Sequence, residues 1–148
     1  MPTISAESEA AATVSGPTPD ERITAIVPAR DEEMTIEACV RSLARQAEIA
    51  EIFVVNDHST DRTAEIVRGL TGEIRKLHLL EAREIPTGWL GKNNAVWEGA
   101  KHATSRWLLF TDADAELLEG DNAGVTDCRG DRRGIGVVFA RAGHENLV

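Results

Sequence analysis

The sequence contains little of what several classes of protein depend on. Only Cys39 and Cys128 of the 148 residues are cysteine, and they lie far apart, without the spacing of metal ligands. We therefore expect free thiols in a reducing compartment. No run of 18 or more apolar residues occurs, and the N-terminus has no basic segment followed by an apolar stretch. We accordingly expect neither a membrane-spanning helix nor a signal peptide.

Positive charge is also scarce. Lys and Arg number 16 against 25 Asp and Glu, so the formal net charge is -9. Binding to a nucleic acid requires a basic face, so we do not expect nucleic acid to be the main partner. A nucleotide site needs only a few local groups and a metal, and the composition is compatible with one. The length and the 42% hydrophobic content suit one globular domain.

The apolar residues of the central part of the chain follow two alternating patterns. Short apolar runs predict β-strands that start near residues 23, 52, 77 and 107. Between the first two strands, apolar residues at i, i+3, i+4 and i+7 predict a helix, and the same spacing recurs in the next two gaps. This alternation has the length of βαβ units and predicts an α/β fold with a mostly parallel sheet.

Local signals mark where the first strand and helix meet. Pro28 follows the apolar run 23–27 and is expected to end the strand. Asp31, Glu32 and Glu33 come next, and their charges suit the N-terminus of the following helix.

Both ends of the chain differ in composition from its middle. Residues 1–20 are rich in Ala, Ser, Thr, Pro and Glu, which predicts a flexible leader. Residues 119–148 are rich in Gly, Asp and Arg and predict an irregular tail, in which residues 135–140 form a candidate strand. We therefore expect the folded unit to span residues 21–118.

Two carboxylates follow the most apolar of these strands. Residues 107–110 run through Thr111 into Asp112 and Asp114, beyond the carboxyl end of the strand, where open α/β sheets bind ligands. Two carboxylates about 5 Å apart repel each other by roughly 3 kcal/mol at an effective dielectric near 20. A raised pKa, solvent or a divalent cation must offset this repulsion. The alternative is an Asp-rich turn that binds nothing.

The polar loops of the chain recur at equivalent places. Residues 28–32, 56–61, 81–92 and 112–114 each follow a predicted strand. Because the carboxyl ends of parallel strands share one edge of the sheet, we expect these loops to converge there.

These motifs, in this order, resemble the family 2 glycosyltransferases of the GT-A fold. The segments that carry the resemblance are residues 27–33, 54–61 and 110–114, and residues 86–92 resemble a subgroup associated with hopanoid and carotenoid glycosylation. The resemblance covers about residues 22–118. It implies an incomplete Rossmann-like nucleotide-diphospho-sugar transferase fold with helices on both faces of the sheet.

The family implies an inverting transfer of sugar from a UDP- or GDP-linked donor to an acceptor hydroxyl, assisted by Mn²⁺ or Mg²⁺. Asp112 and Asp114 match the Asp-x-Asp motif that contacts ribose and coordinates the metal. The implied donor-binding residues are Pro28, Ala29, Arg30, Glu32, Asp57, Lys92, Asp112 and Asp114. The implied acceptor is a lipid or polysaccharide, and the implied location is the cytoplasm, at the inner face of the membrane.

The chain departs from the family in two respects. Many members carry Tyr-Asn where this chain has Arg30 and Asp31, and Asp where it has Asn56. In addition, the residues after Asp114 do not match the half that supplies the acceptor surface and the catalytic base, so no base is identified. This mismatch predicts a truncated or frameshifted product that retains the donor-binding elements.

Other interpretations remain open at this point. Asp57 can serve as part of a helix-cap network with Ser59 and Thr60, Glu32 can complement a helix dipole, and Lys92 can be a solvated surface residue. At the level of function, the alternatives are a non-catalytic or nonfunctional α/β fragment and an Asp-dependent phosphotransferase or phosphatase. The acidic motif of that second class normally follows the first strand of its domain, whereas here it follows the fourth.

Overall fold

A computed structural model describes residues 22–85 and 87–117 and the backbone of residues 138–141. Within these residues, five strands form one sheet in the order β3-β2-β1-β4-β5. The pairs β1–β2, β1–β4 and β2–β3 are parallel, and β4–β5 is antiparallel. The elements are β1 (Ile23–Ala29), α1 (Ile36–Ala44), β2 (Ile49–Asn56), α2 (Thr63–Thr71), β3 (Leu77–Glu81), α3 (Gly91–His102), β4 (Trp107–Phe110) and β5 (Val138–Arg141).

Helices cover both faces of the sheet, as predicted. The apolar residues of α1 and α2 pack with alternate residues of β1 in one core cluster. The opposite face of the sheet packs against α3, with Ile26 and Val55 beside Ala95. Each Ile, Leu or Val that is fully buried contributes about 1.5–3 kcal/mol relative to exposure. The predicted α/β class and the mostly parallel sheet are confirmed.

The first strand continues two residues further than predicted, because Pro28 lies inside β1. Backbone groups two residues apart on a strand point to the same side, so Pro28 faces the same neighbour as Ile26. The carbonyl of Ile26 accepts a hydrogen bond from Thr111 on the β4 side, and β4 itself ends at Phe110. Pro28 therefore lies beyond the end of that ladder, where its missing N–H costs no strand-to-strand bond.

Helix α3 lies very close to the sheet at Gly99. A Cβ atom placed there would be 2.5 Å from Cγ2 of Ile26 and 3.3 Å from Cγ2 of Val55. The missing side chain of Gly99 allows this approach. The buried face of α3 is formed by Asn94, Ala95, Glu98 and Gly99.

Several predictions concern residues outside the described part of the chain. The leader at residues 1–20 is among them, as is most of the tail. The described strand β5 overlaps the candidate strand at residues 135–140 and pairs with β4, Leu109 standing opposite Phe139. Among the described residues, no helix has the length and apolar character needed to cross a bilayer.

Candidate functional site

Three loops that carry predicted site residues meet at the carboxyl edge of the sheet. They follow β1, β2 and β4, which lie side by side in the sheet. Asp57 donates its backbone N–H to the carbonyl of Ala29 at 2.8 Å, and Thr111 donates to Ile26 at 3.2 Å. These bonds extend the sheet pairing by one residue beyond β2 and β4. They fix where the loop after β2 and the acidic loop, defined here as residues 111–117, leave the sheet.

The acidic loop turns its two aspartates away from the core. Thr111 and Ala113 are buried, whereas Asp112 is half-buried and Asp114 is exposed. The carbonyl of Asp112 accepts a hydrogen bond from the N–H of Ala115 at 3.1 Å, which closes a turn. The buried side chains of Thr111 and Ala113 therefore anchor the loop, and the carboxylates of Asp112 and Asp114 stay accessible to a ligand.

Lys92 is a predicted site residue that contacts Asp112 directly. Its ammonium group forms an ion pair with Oδ1 of Asp112, and both side chains are accessible to solvent. Lys92 belongs to the first turn of α3, so this helix places a cation beside the Asp112 carboxylate. An exposed pair of this kind contributes only about 0–1 kcal/mol to stability. Lys92 is therefore exposed to solvent and paired with Asp112, and its role in a site stays a prediction.

Asp57 is buried at the same edge of the sheet and lies against the start of α3. Its Oδ1 atom is 3.1 Å from Nδ1 of His58. A Cβ atom on Gly91 would be only 2.6 Å from Oδ2 of Asp57. The absence of a side chain at Gly91 thus gives the Asp57 carboxylate its room.

The helix-cap interpretation of Asp57 is not what the contacts show. The N–H of Ser59 donates to Oδ1 of Asn56 at 3.2 Å, and the N–H of Thr60 donates to Oδ1 of Asp31 at 2.8 Å. Asn56 and Asp31 therefore satisfy the backbone groups of this loop, and the carboxylate of Asp57 is not engaged by them.

The loops after β1 and β2 are joined by reciprocal hydrogen bonds. Asp31 receives the bond from Thr60 and in turn donates its own N–H to Oγ of Ser59 at 3.0 Å. Both loops pass through left-handed backbone, at Asp31 with φ 52° and at His58 with φ 57°. Asp and His tolerate this conformation better than β-branched residues do. The two loops thus form one joined rim, which we call the laced rim (residues 30–33 and 57–63).

One of the acids expected at the N-terminus of α1, Glu33, directs its carboxylate to the start of α2. Oε2 of Glu33 accepts a hydrogen bond from the N–H of Arg62 at 3.2 Å. Asp61 accepts from the N–H groups of Thr63 at 2.9 Å and of Glu33 at 3.1 Å. Burial alone would raise the pKa of Asp61, but these bonds and that from the Thr63 hydroxyl outweigh it and lower the pKa. The sequence did not predict these hydrogen bonds between the two loops, because the partners lie 28 or 29 residues apart.

The remaining predicted residues line the same edge without touching the acidic pair. Pro28 is half-buried, Ala29 is buried and Arg30 is exposed. Glu32 donates its N–H to Oγ1 of Thr63 at 2.8 Å, and its Oε2 accepts from Oγ1 of Thr35. Within the described residues, no hydrogen bond or ion pair joins Arg30 or Glu32 to Asp57, Lys92 or the aspartates.

Sequence reasoning also missed a thiol beneath the acidic loop. Cys39 of α1 is buried, and its Sγ lies 3.6 Å from the carbonyl oxygen of Asp112, to which it donates. Burial, followed by the negative charges of Asp114 and Glu116, raises the pKa of Cys39 to about 12. The thiol therefore stays protonated near neutral pH. Cys39 fits the apolar stripe of its helix, so the sequence offered no signal for this contact.

The donor set at the acidic loop suits a hard divalent cation. No group of three or more His, Cys, Asp or Glu that could hold a metal occurs among the described residues. Asp112 and Asp114 alone provide two carboxylates. Mg²⁺ is commonly held by one or two carboxylates together with substrate phosphates and water, so this pair fits such an ion when a diphosphate completes the site.

A separate groove of about 460 Å³ runs along the outer side of α1. It is lined by residues of that helix together with Glu116 and Leu117, and neither aspartate of the acidic loop contributes to it. The groove therefore does not coincide with the site at the carboxyl edge.

An open, mostly parallel α/β sheet with polar loops gathered at its carboxyl edge is the arrangement of the nucleotide-binding half of the GT-A fold. The profile of the family described as glycosyl transferase family 2 matches residues 24–123, more than half of the chain. The chain belongs to this family. The match extends beyond residue 118, where the folded unit was expected to end.

A curated relative and two solved structures illustrate the similarity. The 4,4'-diaponeurosporenoate glycosyltransferase of Staphylococcus haemolyticus is 37% identical over 97 residues, which cover 66% of this chain and 25% of that protein. The mannosyltransferase PcManGT from Pyrobaculum calidifontis, in complex with GDP-Man and Mn²⁺, is 32% identical with a TM-score of 0.56, covering 68% of this chain and 30% of that one. S. aureus TarS 1-349 in complex with UDP is 31% identical with a TM-score of 0.52, covering 63% and 27%.

This chain therefore spans about a quarter of the length of the curated relative that it matches. The GT-A fold and the family are shown for the shared segment, and the incomplete fold predicted from the sequence is confirmed.

Proposed function

We propose that residues 21–118 form the donor-binding half of a glycosyltransferase that takes its sugar from a UDP- or GDP-linked donor. The observation that carries the proposal is the acidic loop at the carboxyl edge, where Asp112 pairs with Lys92 and Asp114 is exposed two residues further on. The solved structures with UDP and with GDP-Man and Mn²⁺ support a nucleotide-sugar ligand for the shared segment. The proposed reaction of the whole protein is an inverting transfer to an acceptor hydroxyl.

In this proposal Asp112 and Asp114 hold Mn²⁺ or Mg²⁺ together with the donor diphosphate. The ion, when bound, neutralises negative charge on the leaving nucleoside diphosphate. Lys92 is within reach of the same phosphates, because its ammonium group already lies at Asp112. A lysine acts on phosphate as a mobile point charge, so it adds to this neutralisation without fixing a geometry.

The nucleoside is proposed to lie along the laced rim. Asp57 is assigned to the base, and Pro28, Ala29, Arg30 and Glu32 are assigned to the walls of the nucleotide pocket. The hydrogen bond from Asp57 to Ala29 supports this grouping, because it fixes two of these residues against each other. The exposed guanidinium of Arg30 is free to approach a ligand.

The acceptor is proposed to be a lipid at the inner face of the membrane. The support is the name of the Staphylococcus relative, which acts on 4,4'-diaponeurosporenoate. No residue of this chain is assigned as the catalytic base. For this chain the proposal is therefore donor binding, and sugar transfer is proposed for the whole protein.

Calorimetric titration of the 148-residue chain with UDP and then GDP, with and without Mn²⁺, tests the proposal. We expect Mn²⁺-dependent binding of one nucleotide, weakened at least about tenfold in Asp114→Asn, because an amide oxygen is a weaker ligand for a hard divalent cation than a carboxylate.

The matched control is Glu73→Gln, which removes one negative charge from a residue that pairs with Arg41, away from the carboxyl edge. Its affinity should equal that of the unmodified chain. A folded chain that binds neither nucleotide in the presence of Mn²⁺ would contradict the proposal and favour a nonfunctional fragment.

A further inference from the structure

Helix α1 contacts both ends of the acidic loop. At the far end, the N–H of Leu117 donates to Oγ of Ser42 at 3.0 Å. The same hydroxyl donates to the carbonyl of Cys39 at 2.7 Å, so its proton and one lone pair are both used within α1 and the loop. Ser42 is only 3% exposed, so water does not compete freely for these bonds. The hydroxyl is therefore a bridge between the helix and the loop.

At the near end, Cys39 donates its thiol hydrogen to the carbonyl of Asp112. That carbonyl also accepts the N–H of Ala115, so it stands at the centre of the turn that contains both aspartates. Ala113, between the two aspartates, is buried in the same core cluster as Cys39. The side of the loop that faces the protein is thus held by a hydrogen bond and an apolar contact, one helical turn from Ser42.

We propose that Cys39 and Ser42 are positioning residues that hold the acidic loop in the conformation required to bind the metal and diphosphate. The inference rests on the proposed function, because it assigns to Asp112 and Asp114 the role given there. Neither Cys39 nor Ser42 touches the ligand. They act by attaching the backbone on either side of the two aspartates to α1.

The physical reason is the position of the loop at the end of the sheet. Within the described residues, the bond from Thr111 to Ile26 is the last backbone hydrogen bond from this end of β4 to β1, and Asp114 is exposed. A loop that is ordered before the ligand arrives does not have to be ordered by it, so less binding free energy is lost. Two attachments five residues apart along the loop restrict the backbone between them more than either does alone.

Amide hydrogen exchange of the 148-residue chain without nucleotide tests the attachment itself. In Ser42→Ala the N–H of Leu117 loses its acceptor, and in Cys39→Ala the carbonyl of Asp112 loses one donor. We expect exchange of the Leu117 and Ala115 amides to accelerate at least tenfold in both variants. Cys39→Ser retains a donor and should restore slow exchange of Ala115. Unchanged exchange in Ser42→Ala and Cys39→Ala would overturn the proposal.

Two variants in α2 serve as matched controls for loss of a hydroxyl and for loss of core volume. Thr71→Ala removes a hydrogen bond from Oγ1 to the carbonyl of Arg68. This bond spans three residues, as does the bond from Ser42 to the carbonyl of Cys39. Val67→Ala truncates a fully buried side chain. Neither should change the exchange of the acidic loop, whatever its effect on the urea midpoint.

Titration of the same variants with UDP and GDP in the presence of Mn²⁺ then tests the consequence. We expect a five- to tenfold loss of affinity in Ser42→Ala and Cys39→Ala, recovery in Cys39→Ser and no loss in the controls. Equal loss in Val67→Ala would show a general effect of stability, and faster exchange with unchanged affinity would show that the attachment is irrelevant to binding. Either result overturns the proposal. If the unmodified chain binds no nucleotide, the proposed function fails, and the exchange experiment still decides whether α1 holds the loop.

Discussion

At the residue scale, Gly91 shows how closely α3 approaches the buried carboxylate of Asp57. A Cβ atom at this position would come within 2.6 Å of Oδ2 and within 3.5 Å of Cδ1 of Ile85. The glycine is the first residue of α3, where the backbone itself has no need of it. Its role is therefore to leave space for the Asp57 carboxylate. A substitution at Gly91 can for this reason change ligand binding without destabilising the helix.

Gly91→Ala should displace the Asp57 carboxylate and weaken nucleotide affinity about five- to tenfold. The free energy of unfolding should change by less than about 1 kcal/mol, because alanine favours the helix by up to about that amount and offsets the contact. Titration with UDP or GDP and Mn²⁺, together with urea unfolding, measures both quantities.

The control is Gly69→Ala in α2, where an added Cβ meets nothing within 4 Å. It should stabilise the chain by roughly 0.5–1 kcal/mol and leave affinity unchanged. Equal affinity in the two glycine variants would show that the space beside Asp57 is not used in binding.

Single residues were predictable from the sequence where their role depends on chain position alone. Asp57, Asp112 and Asp114 follow strands, so their place at the carboxyl edge was predicted from the βαβ pattern. The contacts of Gly91 with Asp57 and of Cys39 with Asp112 depend on how closely helices pack against the sheet. No local pattern encodes that distance.

At the scale of elements, Glu51 of β2 joins three segments near the opposite edge of the sheet. Its Oε1 accepts hydrogen bonds from Oγ1 of Thr24 at 2.6 Å and from N and Oγ1 of Thr104 at 2.6 and 2.9 Å. Burial alone would raise the pKa of Glu51, but these bonds outweigh it and lower the pKa below its ordinary value of 4.5. The carboxylate thus ties β1 and the connection between α3 and β4 to β2.

The stabilisation by Glu51 should depend on pH. Because its folded pKa is lowered, the contribution is fully present above the unfolded pKa and is lost as pH falls through the folded pKa. Glu51→Gln, which keeps an acceptor but not the charge, should lose about 1 kcal/mol near neutral pH. This difference should shrink below about pH 4.

Urea unfolding at pH 7, 5 and 3.5 measures this difference. Glu65→Gln, which alters an exposed pair with Arg62, is the control and should remain within about 0.5 kcal/mol of the unmodified chain. A difference for Glu51→Gln that is constant with pH would mean that its charge is not the source of the stabilisation.

Element positions were largely predictable, whereas their exact ends and caps were not. The apolar spacing of α1 and α2 identified the buried faces because a helix on a sheet buries one stripe. The predicted end of β1 was wrong because the tolerance of Pro28 depends on where β4 stops, at Phe110, 82 residues further along the chain. The hydrogen bond of Glu33 to the start of α2 was not predicted, because its partner, Arg62, belongs to another loop.

At the scale of the whole molecule, the edge strand β5 decides which backbone groups of β4 are exposed. β4 is apolar, with Leu108 and Leu109 fully buried, and β5 pairs along its entire length. Without β5, a short apolar strand would present unpaired N–H and C=O groups, which is a template for association with another chain.

A chain that ends at Leu117 should therefore self-associate more strongly than the 148-residue chain. Sedimentation velocity over a range of concentrations should show larger species for the shortened chain. The same shortened chain with Trp107→Lys should associate less, because a charge on an edge strand opposes pairing. If the shortened chain stays monomeric at every concentration, β5 does not protect this edge.

The laced rim has a consequence for how the molecule moves. Asp31, Ser59 and Thr60 bond across two loops that are about 28 residues apart in sequence, in both directions. Neither loop can open without breaking the bonds of the other, so the two form one cooperative unit in local unfolding. A nucleotide that contacts only the first loop would still slow the opening of the second. Occupancy of the proposed donor site would thus change amide exchange at the start of α2, at a distance from the bound molecule.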